Sequence, residues 1–144
     1  MKKFSFELED VLSFRKFEQQ QAEIELGKAL AAEKEIQDKL DALAQQQATV
    51  QQQMKGSTDA NAIIDAGRFY AFVRTQSEFL LNKITEAKLV TEQKREVLRQ
   101  CMAKTDSLEE LKKVKLSEYN KMVQDEEDKE TDDIVTSRIS RTSD

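Results

Sequence analysis

The chain has 144 residues with no proline, tryptophan or histidine, three glycines, one cysteine, 35% charged residues and a formal net charge of −5. Proline punctuates turns and glycine supplies their special backbone angles, so a chain this poor in both cannot furnish the turns of an all-β or α/β fold. No run approaches the ~18 apolar residues of a membrane span, and the missing histidine removes the commonest general base and metal ligand.

The first element opens close to the N-terminus. Met1-Lys2-Lys3 is followed by the acidic stretch Phe4-Ser5-Phe6-Glu7-Leu8-Glu9-Asp10. An export leader would need an apolar run there, so a cytoplasmic location is expected. A helix is predicted over residues 5–55. Its seam advances in alternating steps of four and three through Leu8, Leu12, Arg15, Gln19, Ala22, Leu26, Ala29, Glu33, Ile36, Leu40, Leu43, Gln47, Val50 and Met54. That heptad phase is the signature of a coiled-coil helix, with Arg15, Gln19, Glu33 and Gln47 as polar seam positions that can fix register. The glutamine blocks at 45–47 and 51–53 are interrupted by Ala48 and Val50 and suit a polar helix surface.

A single turn signal follows at residues 56–59. Gly56 fits the left-handed position after a helix, and Ser57, Thr58 or Asp59 can cap the next one. The second helix is predicted over residues 60–126. Its seam runs through Ile63, Ala66, Tyr70, Val73, Ser77, Leu80, Ile84, Ala87, Thr91, Lys94, Leu98, Cys101, Thr105 and Leu108, and blurs beyond. Two long heptad helices joined by a short turn fold back as an antiparallel pair. A register symmetric about residue 57 would set Leu43 near Phe72, Val50 near Asp65 and Leu8 near Ser107, in a rod about 75 Å long with the second helix overhanging the first. The expected fold is therefore all-α: a two-helix antiparallel coiled-coil hairpin over residues 1–128. Residues 129–144, dense in Asp and Glu, are expected to form a disordered acidic tail.

Charge is unevenly spread. Residues 1–54 carry seven Lys/Arg against ten Asp/Glu, residues 55–123 thirteen against ten, and residues 124–144 three against eight. No broad positive field exists to bind nucleic acid. Cys101 falls on a seam and cannot form an internal disulfide, being the sole cysteine. No phosphate-binding loop, metal cluster or placed nucleophile is found, so no enzyme activity, cofactor or metal is expected. What remains to explain is binding. Phe69, Phe72 and Phe79 form a stripe one residue out of phase with the second seam, which two helices cannot cover completely. A second off-seam set, Phe4, Val11, Phe14 and Phe17 with Leu111, Val114 and Leu116, lies at the end where both termini meet. For either set, docking to a partner and local packing are both open.

The opening Phe4-x-Phe6-x-Leu8-Glu9-x-Val11-Leu12-x-x-Arg15, followed by Glu18, Ala22 and Glu25-Leu26, resembles the N-terminus of the flagellar export protein family FliJ. The start of the second helix, with Phe69, Phe72 and Val73, is similar to that family's second-helix motif, though Phe69 stands where tyrosine is common. The resemblance spans nearly the whole chain. It implies a non-enzymatic, stalk-like coiled coil of the flagellar type III export apparatus, similar to the gamma subunit of rotary ATP synthases. Such a protein docks its open end into the hexameric export ATPase, promotes the ring's assembly and activity, contacts the membrane export gate through the gate's cytoplasmic part, and handles export chaperones. On this chain the ATPase-docking residues would be Leu8, Val11, Leu12, Arg15, Leu108 and Leu111, and the gate-binding residues Leu43, Phe69, Phe72 and Phe79. The protein would be cytoplasmic, peripheral to the inner membrane at the flagellar base, not inserted in it, and monomeric when isolated. Other readings of the same pattern are a homodimeric structural scaffold, a tentacle-type holdase chaperone and an injectisome counterpart.

Overall fold

The computed structural model describes residues 2–142, and within them two long helices pack against each other with no strand. Helix α1 spans Glu9–Met54 and helix α2 spans Ala60–Thr142. Contacts divide the chain into a central unit, residues 20–100, and a terminal unit, residues 1–19 with 101–144.

In the central unit the predicted seams are the least exposed lines of both helices. Ala22, Ala29, Ala66, Val73 and Ile84 are buried, and Leu26, Ile36, Leu40, Leu43, Val50, Leu80, Ala87 and Leu98 are half-buried. Small residues dominate because two helices bury only one strip each, and alanine lets their backbones approach where no third element completes a core. Ile63 is the exception among the seam positions there, at 50% exposure.

The turn explains that exception. Met54 is the last residue of α1, Gly56 takes φ 73° and Ser57 N–H donates to the Met54 carbonyl at 3.1 Å. A side chain at this φ is strained, so glycine is the natural occupant. Asp59 is the cap of α2: its Oδ1 accepts from the N–H groups of Asn61 (3.0 Å) and Ala62 (3.4 Å). Ser57 Oγ accepts from Asp59 N–H at 3.4 Å.

The register differs from the symmetric one expected. Thr91 Oγ1 donates to Glu33 Oε2 at 2.9 Å, whereas symmetry about residue 57 would place Asn82 at that level. The offset is about nine residues, or ~13 Å of helix rise. The linker accommodates it: Lys55 and Gly56 turn the chain at the end of α1, and residues 57–59 can span roughly 10 Å before α2 begins. The first turns of α2 therefore run past the end of α1, which leaves Ile63 without a partner. The same offset brings Leu43 to the level of Leu80 and Leu81 instead of Phe72.

In the terminal unit α1 begins at Glu9, four residues later than predicted. Phe4-Ser5-Phe6-Glu7-Leu8 alternates apolar and polar residues, the period of an extended segment. Phe6 is buried, the Phe4 ring lies 5.6 Å from that of Tyr119, and the Tyr119 hydroxyl donates to the Lys2 carbonyl. Glu9 and Asp10 then fall in the first turn of α1, where the helix dipole favours them. In the same unit Leu12 is the most buried apolar side chain, at 1% exposure.

Helix α2 continues to Thr142 rather than ending near residue 126, so residues 129–142 of the expected disordered tail are helical; Ser143 and Asp144 lie outside the described residues. No proline or glycine interrupts this stretch, and local bonds such as Gln124 Nε2 to Asp128 Oδ1 (3.1 Å) accompany the helix. Val123 is the last half-buried residue; everything from 124 to 142 is exposed. Packing thus ends close to the predicted end of the helix, while helical backbone does not.

Candidate partner-docking surfaces

The terminal unit brings together all six residues predicted at the open end, in two different roles. Leu12 is wholly committed to the intramolecular seam. Leu108 is half-buried beside it in that unit. Leu8, Val11 and Leu111 are exposed, as are Phe14, Phe17 and Val114. Leu8 is exposed because it is the residue before α1, its carbonyl accepting from Leu12 N–H at 2.8 Å, rather than a seam residue inside the helix. Arg15 is half-buried; its Nη1 is 3.3 Å from Glu18 Oε2 and its guanidinium lies 5.9 Å from the Phe14 ring centroid. That contact holds a cation against an aromatic face in reach of solvent.

Two interhelical ion pairs flank this surface, Lys112 Nζ to Glu9 Oε2 at 2.8 Å and Lys16 Nζ to Glu109 Oε1 at 3.6 Å. Both are largely solvated and orient more than they stabilise. A groove of about 480 Å³ opens between the strap and α2, lined by Phe4, Phe6, Leu111, Tyr119 and Met122 among others. Sequence reasoning missed the strap and this groove; the alternation of Phe4, Phe6 and Leu8 was the signal.

The central unit holds the aromatic stripe. Phe72 and Phe79 are 53% and 54% exposed, so both rings stand off the seam. Phe69 is half-buried against Tyr70, with centroids 6.4 Å apart. Lys83 Nζ lies 5.5 Å from the Phe79 ring centroid. Leu43 is half-buried in the seam and, by the register above, sits a heptad away from Phe72. The three phenylalanines are therefore brought together along α2, and Leu43 is not brought to Phe72.

Cys101 is half-buried in the terminal unit. Among the described residues no group of His, Cys, Asp and Glu could hold a metal ion, and no helix is long and apolar enough to cross a membrane.

A family model described as the flagellar FliJ protein matches residues 4–143, essentially the whole chain. The chain belongs to the FliJ family. It is thereby a component of the flagellar protein-export apparatus, and the N-terminal and Phe69/Phe72 motifs that suggested the family lie within the matched span. No curated protein and no solved structure gives a significant match to this FliJ-family chain.

Proposed function

We propose that this FliJ-family protein is a non-enzymatic helical adaptor that docks through its terminal unit into the hexameric export ATPase and promotes the ring's assembly and activity. The observation that carries this reading is the exposed set Leu8, Val11 and Leu111 standing around a rigidly buried Leu12, beside the Arg15 cation. Apolar anchors of this kind supply affinity, and charges such as Arg15 steer the encounter. Leu12 and Leu108 act from beneath by holding the two helices at fixed separation. The stripe Phe69, Phe72 and Phe79 is the surface for the cytoplasmic part of the export gate, with export chaperones as further partners. The protein works in the cytoplasm at the inner face of the flagellar base. The isolated protein is a monomer in this reading.

The test is stimulation of the purified ATPase by the full-length chain. Arg15→Glu and Val11→Ala should each reduce stimulation severalfold with unchanged helicity by circular dichroism. Phe72→Ala should leave stimulation intact and weaken binding to the gate's cytoplasmic part. Full stimulation by both terminal-unit variants would remove the docking assignment.

A further inference from the structure

Three polar positions of the α1 seam stand opposite polar positions of the α2 seam, whereas Lys94 stands at the level of Ala29 and Arg15 at that of Leu108. Glu33 bonds Thr91, which is only 2% exposed. Fourteen residues along α1 and fourteen back along α2, Gln47 and Ser77 stand at one level of the central unit, both half-buried. Within the terminal unit Gln19, half-buried, and Thr105, buried, stand in the same numerical relation. Between these levels the register pairs apolar with apolar: Leu40 with Ile84, Leu43 with Leu80, and Val50 with Val73. In the central unit these two polar layers, fourteen residues apart, are separated by apolar pairs, while Lys94 lies beyond them at the level of Ala29.

The linker leaves one competing register. Lys55 and Gly56 are held in the turn closed by the Ser57 N–H to Met54 carbonyl bond, so only residues 57–59 could let α2 slide further beyond α1. The linker has slack in the opposite sense, and a slide of one heptad (~10 Å) would give a tighter turn. That register has an evident gain, because Ile63 would then meet Met54 and lose its exposure. It also has a cost at each polar layer: Glu33 would face Ile84, Gln47 would face Tyr70, Thr91 would face Leu26 and Ser77 would face Leu40. A half-buried carboxylate or amide set against aliphatic carbon loses its partner and keeps its desolvation penalty.

We propose that the matched polar layers at Glu33/Thr91 and Gln47/Ser77, with Gln19/Thr105, are a register lock. They hold α2 one heptad out from the tight-turn register that the apolar residues at the tip would otherwise select. Polar seam residues specify register at some expense of stability, and here they do so in facing pairs. An apolar seam discriminates weakly against a one-heptad slide, since aliphatic side chains meet aliphatic side chains either way; apart from the Ile63 contact at the tip, the polar layers distinguish the two states. The lock discriminates against a one-heptad slide at every layer, and a two-heptad slide toward the tip would still set Gln47 against Ile63. The position of the aromatic stripe relative to α1 is set by this choice.

Disulfide trapping in the full-length Cys101→Ser protein tests the lock. Ile36→Cys with Ala87→Cys reports the locked register, and Ile36→Cys with Leu80→Cys reports the tight-turn register. With the polar layers intact, mild oxidation should cross-link the first pair at least tenfold faster than the second, each unsatisfied layer being expected to weigh on the order of tenfold. Replacing both central layers (Glu33→Leu, Thr91→Leu, Gln47→Leu, Ser77→Leu) should bring the two rates within about threefold while raising the thermal midpoint. Exchanging the partners of one layer (Glu33→Thr with Thr91→Glu) should keep the original preference, and serves as the control if the fully apolar variant aggregates. Equal trapping with the layers intact overturns the lock. So does an unchanged preference in the apolar variant, or in Thr91→Leu alone if the multiple variant does not fold.

Discussion

In the central unit the deepest side chain is Thr91, bonded to Glu33, and the buried apolar residues are Ala22, Ala29, Ala66, Val73 and Ile84. In the terminal unit the deepest side chain is Leu12, and a third stretch of chain, the extended strap with Phe4 and Phe6, lies over α2 nearby. Two helices alone can bury one narrow strip, so the central unit gains little from large side chains and uses its deepest position for a polar pair that discriminates between registers. Adding one short segment changes what the same helices can do: Phe6 is buried and the Phe4 ring packs on Tyr119 in a unit that also holds a fully covered leucine. The comparison separates two tasks. The deepest apolar side chain lies in the unit to which a third chain segment is added, and the deepest polar pair in the unit where only two helices meet.

Truncating the terminal unit's deepest residue should have the largest effect. Leu12→Ala removes a side chain only 1% exposed and should cost about 2–5 kcal/mol, the lower end if the surrounding side chains settle into the gap. Leu43→Ala, at a half-buried seam position of the central unit, should cost less than half as much. Urea unfolding followed by circular dichroism measures both. Equal losses would erase the distinction between the units.

The cap of α2 offers a smaller effect confined to the central unit. Asp59→Ala leaves the N–H groups of Asn61 and Ala62 without their carboxylate acceptor and should cost about 1 kcal/mol. Asp59→Asn keeps an acceptor oxygen and should recover most of it. Hydrogen exchange at residues 60–66 should quicken in the alanine variant, with the terminal unit unaffected. Quickening across both units would mean that the two open together, and that their different construction does not make them independent.

Much of this was legible in the sequence because heptad spacing is a direct imprint of the buried strip. All but two of the predicted seam positions, Leu8 and Ile63, are the less exposed residues of their helices. Both exceptions are at helix starts, where tertiary geometry rather than periodicity decides exposure. Register was not legible from the turn alone, because Gly56 marks where α1 stops without saying how far Lys55–Asp59 extends before α2 starts. The facing polar residues do carry that information, once Glu33 and Thr91 are known to meet. The strap was missed because the helix predicted from residue 5 ran over Phe6 and Leu8, which with Phe4 have a period of two. The helical course of residues 129–142 was missed because composition reports whether a segment can pack, and local backbone bonding needs no packing partner. For the docking surfaces the sequence located the residues but not their roles: Leu12 and Val11 are adjacent in the chain, yet one is core and the other surface.

The smallest effect is expected at the ion pairs of the terminal unit. Lys112 Nζ lies 2.8 Å from Glu9 Oε2, but both side chains keep more than a third of their exposure. Solvent screening and the entropy of two long side chains leave such a pair worth about 0.5 kcal/mol or less, so Lys112→Gln should barely move the unfolding midpoint. The informative quantity is its salt dependence. Raising ionic strength from 20 mM to 500 mM should weaken the native terminal unit slightly and leave the Lys112→Gln variant less sensitive, because the screened interaction is already gone. A loss above about 1.5 kcal/mol would mean that Lys112 acts through its packed stem at the half-buried position after Leu108 rather than through its charge. In that case Lys112→Met should restore stability where Lys112→Gln does not. Lys112 would then belong with Leu12 among the residues that set stability in the terminal unit, and the division between an apolar core in that unit and alignment made by polar contacts would have to be redrawn at that residue.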